Sequence, residues 1–251
     1  TLRQGWEEIM EPVMIRAILG DEYHNIDQAG YNEVVKQVKD YIHKTTGIQT
    51  IFQMEGLVRM IEEFGYVPRE KILDKFEYKE IYNNALMEMV NKRLQKLHAG
   101  ELDASDFMLK GAYHFLQELR KHNGTMYLAS GTDVEDVIQE ATVLGYADMF
   151  DGGIYGAVRD VSKFSKKMVM EKIIRDKNLQ GRELAVFGDG PVEIREGRRI
   201  DGIAVGITSN EIRRYGIDLE KRERLVKAGA HLLISDFSQY NKVISLLFKL
   251  S

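Results

Sequence analysis

The sequence predicts an α/β protein, a doubly wound parallel sheet preceded by a separate helical region. Three observations carry that prediction. The first hundred of the 251 residues repeat apolar side chains at helical spacing, with no strand-like run between them. From about residue 104 onward, short apolar runs alternate with helical segments. Those runs are almost continuously apolar, as strands of a parallel sheet covered on both faces must be. The expected division is a helical domain over 1–103 and an α/β domain over 104–251.

In chain order, Trp6, Ile9, Met10, Val13, Met14, Ala17 and Ile18 mark a first helix, with Pro12 as a kink or restart and Gly20 as its stop. Tyr31, Val34, Val35, Val38, Tyr41 and Ile42 share one face of a second. A third runs from about Gln49 to Phe64 and ends at Gly65; a fourth runs from about Lys79 to Leu97 and ends at His98-Ala99-Gly100. Then the alternation begins. A helix over about Ser105–His122 leads through Asn123-Gly124 into a short strand, Thr125–Ser130, and a helix over about Asp133–Leu144 follows. The glycine-rich stretch Phe150–Gly156 reads as a turn or small hairpin. A helix over Lys166–Lys177 precedes the strand Leu184–Phe187, and further apolar runs stand at Ile203–Ile207 and Leu232–Ile234.

Composition narrows the function. The chain has no cysteine, which excludes disulfides, thiol catalysis and Cys-ligated metals. A net charge of −4, with neither part of the chain strongly basic, argues against a nucleic-acid partner. No apolar stretch approaches bilayer length and the first residues lack a signal-peptide core, so no membrane partner and a cytoplasmic location are expected. His114, His122, the Met87/Met89 pair, Arg195–Arg199 and Arg213-Arg214 read as surface or packing residues. The glycines at 152–156 lack a dinucleotide-binding context.

Ligands of a parallel α/β sheet gather at the carboxyl ends of its strands. Three features stand there. Ser130-Gly131 ends one strand with a hydroxyl and a free backbone amide. Ser165-Lys166-Lys167 opens a helix. Gly188-Asp189-Gly190-Pro191-Val192-Glu193 ends another strand with two carboxylates four residues apart. Taken singly, these are a helix cap, a solvated lysine pair and a turn. Taken together, hydroxyl, lysine and acid pair stand in a fixed order at matching structural places.

That order resembles the haloacid dehalogenase-like hydrolase superfamily. The resemblance assigns Ser130 to the family's second motif, Lys166 to the third (with Lys163 and Lys167 as alternatives), and Asp189 and Glu193 to the acidic pair that holds magnesium. It implies a Rossmann-like core with an inserted all-helical cap over the first hundred residues. It also implies a magnesium-dependent phosphatase acting on a small phosphorylated metabolite, a sugar phosphate foremost. Ser130 and Gly131 would hold the phosphoryl oxygens, and Lys166 would supply fixed positive charge. In the cap, the polar turn Lys44–Thr50 is the candidate for substrate contact, through Thr46 and Gln49, and Arg3 and Gln4 are further candidates.

The family's first motif, Asp-x-Asp at the end of the first core strand, has no counterpart. The sequence starts Thr1-Leu2-Arg3 and runs straight into helix. The 251 residues alone are therefore expected to be inactive. The favoured explanation is a nucleophile-bearing strand lost upstream, with a naturally degenerate member as the other. That strand would belong at the centre of the sheet. The expected result of its absence is a chain that is marginally stable, self-associates, or is completed by a swapped segment. A phosphosugar mutase and a non-catalytic phosphate-ligand-binding module stay open beside the phosphatase.

Overall fold

The computed structural model describes residues 1–158, 164–210 and 212–250. It divides into two compact units, Leu2–Glu101 and Leu102–Ser251, with Thr1 belonging to the second.

The helical signals of the first unit resolve into α1 (Trp6–Leu19), α2 (Gln28–Thr45), α3 (Thr50–Phe64) and α4 (Lys75–His98). α1 passes through Pro12 without a break. α2 begins where the Asp27 carboxylate accepts the Gly30 amide at 2.7 Å. α4 begins in a capping box: Asp74 accepts the Phe76 and Glu77 amides, and Glu77 accepts the amide of Asp74. The apolar stripes meet in a core of Met10, Met14 and Ile18 from α1, Val34 and Val38 from α2, Met54, Leu57 and Ile61 from α3, and Leu86 and Val90 from α4. Leu2 is buried as well, and the Arg93 guanidinium on α4 donates to the carbonyls of Leu2 (2.7 Å) and Gln4 (2.6 Å). The first residues are thereby fastened to their own unit.

The second unit is built on parallel strands. β1 (Tyr127–Asp133) pairs with β2 (Gly153–Ala157), with Tyr127, Leu128 and Ala129 opposite Gly153, Ile154 and Tyr155. β3 (Ala185–Gly188), β4 (Ile203–Ile207) and β5 (Leu232–Ile234) form a second parallel sheet in that order. The helices are α5 (Ala112–Lys121), α6 (Val134–Val143), α7 (Lys166–Lys177), α8 (Pro191–Arg199), α9 (Leu219–Ala228) and α10 (Tyr240–Leu250). β4 is buried throughout and covered on both faces. Ile203, Val205 and Ile207 pack against Phe115 of α5 and Val243, Ile244 and Leu247 of α10. Ala204 faces Ile194 of α8 and Leu225 of α9.

Three local expectations are corrected. The glycine-rich segment 150–156 carries a parallel strand rather than a hairpin, because its glycines serve close approach. A Cβ at Gly156 would overlap the backbone of Thr132 and Val134. The helix expected over 105–122 divides into a 3-10 turn at Ala104–Phe107 and α5, separated by Gly111 in the left-handed region (φ +76°). β1 runs on past Ser130 to Asp133, with an irregular register after Ala129.

Every residue of β1 is half buried, as is every residue of β5, against the complete burial of β4. Among the described residues no hydrogen-bonded ladder joins β1 or β2 to β3, β4 or β5. α7 spans them instead. It packs on β1 through Val169 and Ile173, which with Phe164 just ahead of the helix meet Tyr127 and Ala129, and it also lies against α8. Among the described residues no helix is long and apolar enough to cross a membrane.

In the helical unit, Tyr41 of α2 donates its hydroxyl to the carbonyls of Phe52 and Gln53 on α3, at 3.2 Å each. That approach is possible because Gly56 has no side chain; a Cβ there would overlap the Tyr41 hydroxyl. Gly56→Ala is therefore expected to cost about 1–3 kcal/mol of stability through overpacking. Urea unfolding followed by circular dichroism measures it, and removing the obstacle with Tyr41→Ala in the same chain should recover part of the loss.

Candidate functional site

The carboxyl ends of the strands in the α/β unit are followed by the amino ends of α7, α8 and α9, and each delivers one or two charged side chains. Ser165 caps α7, its hydroxyl accepting the Met168 amide at 3.1 Å, which fixes Lys166 as the first helical residue. Gly190 precedes α8, and Pro191 at its first position needs no hydrogen bond and carries the right φ. Glu193 then falls in the first turn, where the helix dipole favours a carboxylate. Asp218 caps α9 by accepting the Lys221 amide at 2.9 Å, placing Lys221 on the third helical position.

Two ion pairs result. Lys166 Nζ is bonded to Glu193 Oε1, and both side chains are nearly buried, 9% and 11% exposed. Lys221 Nζ lies 3.5 Å from Asp189 Oδ2; the lysine side chain is 6% exposed while that of Asp189 is about half exposed. The first pair depends on Gly188. A Cβ at that position would overlap Cβ and Cγ of Glu193, so only glycine at the end of β3 lets the glutamate lie against the strand.

Of the residues the order of motifs singled out, Lys166 and Glu193 are brought into contact, while Asp189 is paired with Lys221. Lys167 points into solvent, and Lys163 lies outside the described residues. Ser130 and Gly131 stand in the irregular stretch of β1 beyond Ala129, half buried, with Ser130 Oγ accepting the Thr132 amide at 3.2 Å. Thr46 and Gln49 are buried within the helical unit, at 8% and 6% exposure. Thr46 donates its hydroxyl to the Ile42 carbonyl at 3.0 Å, closing the last turn of α2, and Gln49 precedes the first residue of α3.

Lys221 is the member that sequence reasoning missed. It sits in the charge run Glu220-Lys221-Arg222-Glu223-Arg224, which by pattern is a solvated helix face. The available signal was its place, three residues after a helix-capping aspartate that follows a strand.

Chemically the cluster offers two carboxylates and two ammonium groups. Glu193 Oε2 is buried and has no hydrogen-bond partner among the described residues. A buried carboxylate oxygen without a partner is costly, and together with Asp189 it makes a hard-oxygen donor pair suited to a divalent cation. Among the described residues no third His, Cys, Asp or Glu completes a cage. Such a cation would draw its remaining oxygens from water and from the ligand it helps to hold.

Solved structures similar to this chain share its fold at low identity. A β-phosphoglucomutase from Clostridium difficile superposes with a TM-score of 0.56 at 15% identity, covering 96% of this chain and 93% of its own. A hydrolase from Pseudomonas syringae gives 0.57 at 16% identity, with 96% and 93% covered. A predicted phosphoglycolate phosphatase from Haemophilus somnus gives 0.56 at 14%, with 94% and 92% covered. No curated protein sequence matches.

Breaking the Lys166–Glu193 pair from one side strands a buried charge. Lys166→Met is expected to lower stability by about 3–5 kcal/mol, and adding Glu193→Gln to that variant should recover a substantial part. Urea unfolding of the two single variants and the double variant measures the coupling, and additive losses would contradict the pairing.

Over residues 3–201, most of the chain, the sequence matches the haloacid dehalogenase-like hydrolases, and with the α/β core and its strand-end cluster this shows that the protein belongs to that family.

Proposed function

We propose that this chain forms the greater part of a magnesium-dependent phosphatase acting on a small phosphorylated metabolite, a sugar phosphate foremost. The observation that carries the reading is the nearly buried Lys166–Glu193 pair formed by the first turns of α7 and α8, with Asp189 four residues before Glu193 in the turn that follows β3. Magnesium held by Asp189 and Glu193 would neutralise charge on the phosphoryl oxygens and help fix them in line.

The chain's own residues do the rest. Ser130 Oγ and the Gly131 amide donate to phosphoryl oxygens. Lys166, fixed by its helix cap and by Glu193, presents positive charge to the same group. The helical unit acts as the cap that selects the substrate.

The nucleophile in this reading is an aspartate on an extended segment outside the 251 residues, which carry no Asp-x-Asp ahead of Gly20. Its carboxylate attacks phosphorus as the bond from phosphorus to the ester oxygen breaks, the second aspartate of the same motif gives that oxygen its proton, and water then attacks the aspartyl-phosphate to release phosphate and restore the carboxylate. One observation supports a segment of this kind: among the described residues no ladder joins β1 to β3. An extended strand with partners on both sides would satisfy both edges.

The same missing motif favours a second reading, a module that binds a phosphorylated ligand without hydrolysing it. A mutase differs from the phosphatase only in returning the phosphoryl group to a sugar hydroxyl rather than to water.

Phosphate release from a panel of sugar phosphates, with and without magnesium, separates these. It is measured on this chain and on the chain extended upstream in its own reading frame. Turnover only in the extended protein is the expected result. Two folded proteins with no turnover would overturn the phosphatase and favour the binding module. Sedimentation of the 251-residue chain supplies a further check: self-association, reversed in the extended protein, is expected from unsatisfied strand edges.

A further inference from the structure

Lys221 occupies a place where a lysine is disfavoured twice. It is 5% exposed, and burial penalises an ammonium group. It also lies in the first turn of α9, where the helix dipole opposes positive charge and favours negative. A leucine or methionine would fill a similar volume without either penalty. The ammonium lies 3.5 Å from Oδ2 of Asp189, in the turn between β3 and α8.

We propose that Lys221 is the resident counter-ion of Asp189 and sets how weakly or tightly this site takes a divalent cation. The proposal rests on the reading of Asp189 and Glu193 as the cation-binding carboxylates. With Lys166 on Glu193 and Lys221 on Asp189, the two acids are already neutralised by two bases. A divalent cation arriving at Asp189 Oδ2 meets the ammonium group at the atom it needs. Either the lysine leaves that oxygen or the cation binds against its charge, and both lower the affinity. Two acids with two partner lysines therefore form a weak cation site until an anionic ligand such as a phosphate ester enters. Lys221 then has a second negative group to turn to, and the cation and the ester bind better together than apart. Lys221 is a positioning residue in this account: it acts through Asp189 and through the charge of the site.

The test is magnesium binding itself, by isothermal titration calorimetry on the purified chain without substrate. Lys221→Met keeps the length of the stem and removes the charge; Lys221→Gln serves if the methionine variant does not fold. Either variant is expected to bind magnesium at least about tenfold more tightly than the unaltered chain, while Lys221→Arg stays within about threefold of it. Equal or weaker binding in the folded Met or Gln variant would overturn the proposal, as would an absence of binding in every protein. Asp189→Asn and Glu193→Gln judge the underlying reading separately. If both retain magnesium at the original affinity, the carboxylates are not the ligands and that reading falls. If both lose it while Lys221→Met is unchanged, the reading stands and the counter-ion role alone is refuted.

Discussion

Lys166 and Glu193 come from the first turns of two helices, and their contact is the constraint on which the arrangement of the α/β unit turns. α7 follows β2 and packs on β1, while α8 follows β3 and packs on β3 and β4. No described ladder joins the two sheets; α7, packed on β1 and on α8, and this buried pair link the helices that follow them. Both charges are nearly out of water. Each without the other would be a desolvated ion, which makes the pair demanding of geometry more than a source of net stability. The glycine at 188 belongs to the same constraint, because any larger residue would push Glu193 off the strand.

From that pair the rest of the site follows by topology. Parallel strands deliver all their carboxyl ends to one edge, and every helix that follows begins there with unpaired amides and positive dipole. Such an edge attracts carboxylates and anions. Here the carboxylates are Asp189 and Glu193, and the lysines that balance them enter from α7 and α9. The balance of two bases against two acids gives the cluster little net charge, which suits a site that takes a cation and an anion together.

Much of this was legible in the sequence, because its grammar is local. Apolar periodicity marked the four helices of the first unit. The alternation after residue 104 marked the parallel strands, and the order of motifs singled out Lys166 and Glu193, which the structure pairs. What escaped is non-local. β2 hid in a glycine-rich segment, because Gly156 is dictated by the backbone of Val134 and not by a turn. Lys221 hid in a charge run, because burial of one lysine in such a run is decided by where Asp189 lies 32 residues earlier. Thr46 and Gln49 stand in a polar turn by sequence and are buried among the helices in the structure, where Thr46 completes α2. Composition alone does not distinguish a turn that faces a ligand from one that closes a helix.

The central claim is that the strand-end cluster is a phosphoryl site, and a tetrahedral oxyanion with a strong anomalous signal tests it directly. Crystals of the chain soaked with tungstate and magnesium should show the anion within hydrogen-bond distance of Ser130 Oγ, the Gly131 amide and Lys166 Nζ, with Asp189 on the side of the cation. Tungstate bound elsewhere, with that edge empty at saturating concentration, would contradict the account.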